Sequence, residues 1–186
     1  GRVIESSDRP LSGETLAVFE SVLDPVIERN LSVRTIALGL PGIEIDGSIA
    51  ALDYPDLVGV PLVSHFEERY GCTVLFENDV NAAVFGRSLE NGAAESEAYL
   101  YFPAKYPPGA GIRIDGRIIK GRRNFAGEVG YLPLDIPWGD ASLVNSFDRI
   151  VDAVSRVVAS ITGVIAPESV VLFGEFLTPR HLTAVT

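Results

Sequence analysis

The stretch Thr73-Val74-Leu75-Phe76-Glu77-Asn78-Asp79-Val80-Asn81-Ala82-Ala83 decides how this 186-residue chain is read. Thr73 to Phe76 is an apolar run of strand length. It ends in the polar triplet Glu77-Asn78-Asp79, and Val80 to Leu89 then reads as a helix. A buried strand that feeds a helix through polar residues puts them at the strand's carboxyl end, where ligands bind in open α/β sheets. A carboxylate there can accept a proton from a hydroxyl, and an amide can both donate to and accept from a polyol. Helix capping by Asn78 or Asp79 is the competing reading, and the segment alone leaves both open.

Upstream, Leu62, Phe66 and Tyr70 suggest a short helix that stops at Gly71. Ile36, Leu38 and Leu40 alternate, which suggests a strand running into Pro41-Gly42. That pair suits an ordinary turn, and its glycine also suits close approach of a ligand to the backbone. Ser12 is a candidate cap for a helix marked by Leu16, Phe19, Leu23 and Ile27, in which Pro25 is expected to cause a kink or break. Val3-Ile4-Glu5 reads as a short strand.

Downstream, Asn91-Gly92-Ala93-Ala94-Glu95 marks the expected lobe boundary, giving lobes over 1–92 and 93–186. Ala98 to Phe102 reads as a strand. A hairpin follows, with Ile112 and Ile114 on one arm, Asp115-Gly116 at the turn and Ile118 and Ile119 on the other. Phe147, Ile150, Val151, Val154, Val158 and Ile161 mark an amphipathic helix. Val170 to Phe173 is a final buried strand, closed by Gly174. Strands alternating with helices give an α/β fold class. Glu128, flanked by glycines in Phe125-Ala126-Gly127-Glu128-Val129-Gly130-Tyr131, is either an exposed loop carboxylate or a ligand for a polyol.

Composition narrows the function classes. The formal charge of −10 makes the chain a poor match for a phosphate backbone, so no direct nucleic-acid binding is expected. The one basic cluster, Lys120, Arg122 and Arg123, reads as a solvated turn. No run of about 18 apolar residues predicts a membrane span. Cys72 is the only cysteine, so neither an intrachain disulfide nor a Cys-built zinc site is expected. These features fit a cytoplasmic protein. The chain has no methionine, which points to a longer parent. His65 and Cys72 read as ordinary structural residues, and Trp138 suits either packing or a sugar face.

Four motifs in this order resemble the ROK family of sugar kinases and sugar-responsive repressors. Gly39-Leu40-Pro41-Gly42 is similar to that family's Pro-Gly strand end. Glu77-Asn78-Asp79-Val80-Asn81-Ala82-Ala83 is similar to its catalytic-aspartate segment, and Ala126-Gly127-Glu128-Val129-Gly130 to its sugar loop. Ala166-Pro167-Glu168 with Val170-Val171-Leu172-Phe173-Gly174 is similar to its late strand near the adenosine pocket. The resemblance implies an actin-like (ribonuclease H-like), two-lobed sugar-kinase fold, here incomplete, and a homodimer. It implies that Asp79 is the base acting on a sugar hydroxyl, that Asn78 and Glu128 bind the sugar, and that Gly42 lines the same pocket.

The departures from the family shape the functional expectation. Nothing matches the family's first phosphate loop. Where a Gly-Thr-Gly loop is expected, Phe102 to Gly111 places Pro103, Pro107 and Pro108, which remove backbone donors that a phosphate needs. Lys105 offers only a point charge. Asp115 reads as a turn residue and not a magnesium ligand. Tyr131 stands where the family has a zinc-binding histidine, and Glu175 follows Gly174 where a second glycine is expected. No metal or cofactor is therefore expected, Mg-ATP entering only if the chain is a kinase.

Three functions remain open at this point. One is the sugar-sensing and dimerising domain of a ROK-type transcriptional regulator, reaching DNA through a segment outside this chain. Another is a divergent ATP-dependent sugar kinase acting on a hexose or N-acetylhexosamine. The last is a paralogue that binds no ligand.

Overall fold

The computed structural model describes residues 3, 5–6, 8–10, 14–30, 32–45, 48–51, 54–90 and 92–185. The expected strand at Val3-Ile4-Glu5, the Ser12 cap and the boundary at Asn91 each rest on a residue outside that set. The chain forms two compact units, Gly1–Asn78 and Asp79–Thr186. The division thus falls earlier than the 92/93 boundary expected from composition. The physical reason is the helix that begins at Asp79, which packs on strands of the second unit.

The first unit opens with α1 (Thr15–Arg29). Its first N–H group is satisfied from a distance, Thr15 donating to Asp56 Oδ2 at 2.7 Å. Of the kink or break expected at Pro25, the break is absent, and the helix runs on through it. Leu16, Phe19, Leu23 and Ile27 pack on the unit's core on both sides of the proline, and this burial outweighs the lost hydrogen bond. Next come β1 (Thr35–Leu40), β2 (Ile43–Ile45) and β3 (Ser48–Ala51), the last two forming an antiparallel pair. Then follow α2 (Leu62–Tyr70), which ends at Gly71 with φ 65°, and β4 (Thr73–Asn78). β1 and β4 are parallel, with Leu40 opposite Asn78. Ile36, Leu40 and Val74 from the strands meet Leu62 and Phe66 from α2 in one buried cluster.

The second unit begins with α3 (Asp79–Arg87), followed by β5 (Glu97–Phe102), β6 (Gly109–Ile114) and β7 (Arg117–Ile118). The expected hairpin is present between β6 and β7. Asp115 and Gly116 take φ values of 50° and 74°, as a tight two-residue turn requires. After α4 (Ala141–Val144) come α5 (Phe147–Ile165), β8 (Ser169–Gly174) and α6 (Pro179–Val185). The sheet order is β7-β6-β5-β8, with β8 parallel to β5 and the other pairs antiparallel. Ile150, Val154, Val157 and Ile161 of α5 join the core that Ala98, Leu100 and Phe102 of β5 supply. Their spacing is that of one helix face, and the strand residues alternate as one sheet face must.

Candidate functional site

The first unit positions Gly42 and Asn78. Because Leu40 lies opposite Asn78, the Pro41-Gly42 turn leaves β1 beside the last residue of β4. Gly42 has φ 110°, a left-handed value that favours glycine. Its carbonyl accepts a hydrogen bond from Asn78 Nδ2 at 3.2 Å. The Asn78 backbone N–H donates to Glu77 Oε1 at 3.1 Å. The structure therefore joins two of the sequence-predicted site residues by a direct bond. It also extends the strand through Glu77 and Asn78, past the apolar run, because both pair in register with Gly39 and Leu40.

The second unit positions Asp79 and Glu128. Asp79 opens α3, where the helix dipole favours a carboxylate, and its Oδ1 accepts from the Val80 N–H at 2.8 Å. The helix is seated hard against β6. A Cβ added at Gly111 would lie 2.5 Å from the Val80 carbonyl oxygen, so glycine permits this approach. One residue earlier, the Ala110 N–H donates to the Gly127 carbonyl at 2.7 Å. Gly127 has φ 98°, and a Cβ there would strike the Ala110 carbonyl oxygen. Two adjacent residues of β6 thus hold Val80, next to Asp79, and Gly127, next to Glu128. Glu128 itself is half-buried and leads into a 3-10 turn, Val129–Tyr131, whose Val129 is buried in the core.

The proline-rich segment after β5 is exposed at Lys105, Tyr106 and Pro107 and buried at Pro108, and its backbone is held by neighbours. The Pro108 carbonyl accepts from the Gly130 N–H at 3.0 Å. A Cβ at Gly139 would lie 2.6 Å from the Lys105 carbonyl oxygen. Glu175, just past β8, takes the Tyr101 hydroxyl at 3.3 Å and the Ala104 N–H at 3.4 Å. Trp138 lies against Phe102 with ring centroids 6.0 Å apart and packs on the core, in line with its packing reading.

One functional-looking cluster was missed in the sequence. Glu97, at 1% exposure, accepts from Arg87 Nε at 2.9 Å and from Ser169 Oγ at 2.7 Å, both on Oε1. Its Oε2 is buried without a hydrogen-bond partner. The bond to Glu97 pushes the Arg87 guanidinium above its usual pKa. A charge at the first position of a strand looks solvated in sequence. Its burial follows from pairing with β8, more than 70 residues away, which has no local signal.

Among the described residues, no helix is long and apolar enough to cross a membrane. The ROK family model matches residues 13–141, well over half of the chain. A protein of Caldicellulosiruptor sp. (strain Rt8B.4) assigned as a xylose repressor is 35% identical over 120 residues, which cover 63% of this chain and 30% of that protein. The N-acetyl-D-glucosamine kinase of Vibrio vulnificus (strain YJ016) is 30% identical over 134 residues, covering 70% of this chain and 43% of the kinase. The chain therefore spans less than half the length of these two curated relatives. In fold it matches the Lmo2764 protein of Listeria monocytogenes, assigned as an N-acetylmannosamine kinase, with a TM-score of 0.82 at 18% identity. That match covers 99% of this chain and 79% of the other. The architecture is the mixed α/β, actin-like one of such sugar kinases, and the chain belongs to the ROK family.

Proposed function

We propose that this chain is the sugar-sensing domain of a ROK-type transcriptional regulator and does not transfer phosphate. Gly42, Asn78, Asp79 and Glu128 are the residues we assign to the sugar. Asn78 and Glu128 offer an amide and a carboxylate to its hydroxyls, Asp79 accepts a hydroxyl proton in a hydrogen bond, and Gly42 lets the ring come close. The xylose repressor and N-acetyl-D-glucosamine kinase relatives make a pentose or an N-acetylhexosamine the first ligands to try.

The observation that carries the regulator reading is the seat of Glu175. Its carboxylate takes the Ala104 N–H and the Tyr101 hydroxyl at the carboxyl ends of β5 and β8. A nucleotide phosphate would need donors of this kind, and a resident carboxylate occupies both of these and repels the incoming anion. The prolines at 103, 107 and 108 withhold three more. With no phosphate to transfer, Asp79 serves as a ligand to the sugar and no Mg-ATP is required.

A sugar acts in such a domain by favouring one arrangement over another, which requires different affinities for the two. The proposal includes a homodimer, a cytoplasmic location and a DNA-binding segment outside this chain. The kinase reading is favoured by one feature, Asp79 at the head of α3, the position of a base in a kinase of this family.

A thermal-shift titration separates the two. The ligands are D-xylose, D-glucose and N-acetyl-D-glucosamine, each with and without Mg-ATP, on the wild type and Asp79→Asn. The regulator reading predicts stabilisation by a sugar, indifferent to Mg-ATP and lost in the variant. Stabilisation by Mg-ATP would put the kinase reading in its place.

A further inference from the structure

We infer that Phe125 and Tyr131 form an aromatic platform for one face of a pyranose ring, so that the site selects ring sugars over open-chain polyols. This rests on the reading that Glu128 binds a sugar. The two rings are six residues apart in sequence, yet their centroids lie 5.8 Å apart at a tilt of 39°. The chain between them closes into a loop, and Glu128 is its midpoint. Both rings stay in water, Phe125 at 50% exposure and Tyr131 at 73%.

Three backbone bonds fix this loop. Ala126 N–H donates to Lys120 O at 3.0 Å, Gly127 O accepts from Ala110 N–H at 2.7 Å, and Gly130 N–H donates to Pro108 O at 3.0 Å. Val129, at 4% exposure, is the loop's anchor in the core. The two aromatic rings are therefore not needed to hold the loop down. Leaving them in water forgoes the stability that burying their apolar surface would bring. An exposed aromatic pair at the two ends of the loop that carries Glu128 suits a ligand that is apolar on one face and rich in hydroxyls at its edge. A pyranose with equatorial hydroxyls has that form: its axial C–H groups lie on an aromatic face while its edge meets the carboxylate. A phosphate-bearing occupant would be disfavoured by the negative charge that Glu128 brings to this loop.

The test is calorimetric titration with matched pairs: D-xylose against xylitol, and N-acetyl-D-glucosamine against N-acetyl-D-glucosaminitol. Each alditol keeps the hydroxyls and lacks the ring face. For the wild type we expect the ring form to bind about tenfold more tightly than its alditol. Phe125→Ala and Tyr131→Ala should bring the ratio within about twofold, and Tyr131→Phe should restore it. Glu128→Gln should weaken ring and alditol alike. A ring preference that survives both alanine variants overturns the platform while leaving the sugar site standing. Wild type that binds no sugar overturns both. A change of oligomeric state in Tyr131→Ala by light scattering, with the ring preference intact, would assign the pair to contact with a second copy and also overturn the platform.

Discussion

The side-chain amide of Asn78 donates to the carbonyl of Gly42 at 3.2 Å, tying the end of β4 to the turn that leaves β1. Asn78→Asp replaces the donor with an acceptor, leaving two oxygens facing each other. Losing a bond of this kind costs about 0.5–1.5 kcal/mol, so the melting temperature should fall modestly and sugar affinity with it. An asparagine amide working only as a sugar ligand would lower affinity and leave melting unchanged. Thermal melts with and without sugar check this.

Gly111 and Val80 are in closer contact than any side chain would allow. Gly111→Ala puts a methyl group 2.5 Å from the Val80 carbonyl and 3.0 Å from Val84 Cγ1, so α3 must shift away from β6. The overpacking should cost about 1–3 kcal/mol. Since Asp79 is the residue before Val80, sugar affinity should fall by more than that stability loss explains. Gly86→Ala, where nothing lies within 4 Å of the added Cβ, is the control: it should leave sugar affinity unchanged and, as an alanine within α3, raise stability by about 0.5–1 kcal/mol.

Glu97 needs Arg87 more than Arg87 needs Glu97. The carboxylate is at 1% exposure, while the Arg87 side chain is at 40%. Arg87→Ala leaves a buried carboxylate with Ser169 as its remaining charge-stabilising donor, whereas Glu97→Gln leaves an arginine that water can reach. Arg87→Ala should therefore lower the melting temperature by roughly 5 °C or more, and Glu97→Gln by less. Restoring most of the loss in the double variant Arg87→Ala/Glu97→Gln would locate the cost in the stranded charge.

Asp24 ties α1 to α2 and gives the first unit an acid limit. It accepts from Arg69 Nη2 at 2.7 Å and from the Tyr70 hydroxyl at 2.8 Å. The hydrogen bond from Arg69 and then that from Tyr70 hold its carboxyl below the usual 3.8. Burial, and then the bond to Asp24, push the Tyr70 hydroxyl up to about 12. A depressed carboxyl contributes stability that is complete above the unfolded value and is lost as pH falls through the folded one. The melting-temperature gap between wild type and Asp24→Asn should thus be constant above about pH 5 and close below 3.8. A gap that widens on acidification would contradict this assignment.

Much of this fold was legible because its signals are local. Ile36, Leu38 and Leu40 alternate, Leu62, Phe66 and Tyr70 share a helix face, and Asp115-Gly116 has the turn chemistry of its hairpin. What escaped depends on partners distant in sequence. Pro25 reads as a kink or break because the packing that carries α1 across it comes from α2 and β1. Glu77 and Asn78 read only as the polar end of the apolar run, because the pairing that makes them strand residues is with β1. The short β2–β3 pair has too few residues to show a period. Of the candidate site, Gly42 and Asn78 were found as separate motifs, but the bond between them was not. The Phe125–Tyr131 contact had no sequence signal beyond two aromatic residues at the ends of one glycine-rich loop.

The most direct measurement is the dissociation constant of N-acetyl-D-glucosamine and of D-xylose for the wild type, Asn78→Ala and Glu128→Gln, by calorimetric titration. We predict saturable binding of at least one of these sugars to the wild type. In each variant that binding should be about tenfold weaker or more, from the loss of one hydrogen bond, to a charged group in the case of Glu128. Equal affinity in all three proteins, or no saturable binding to the wild type, would contradict the assignment of a sugar site to these residues.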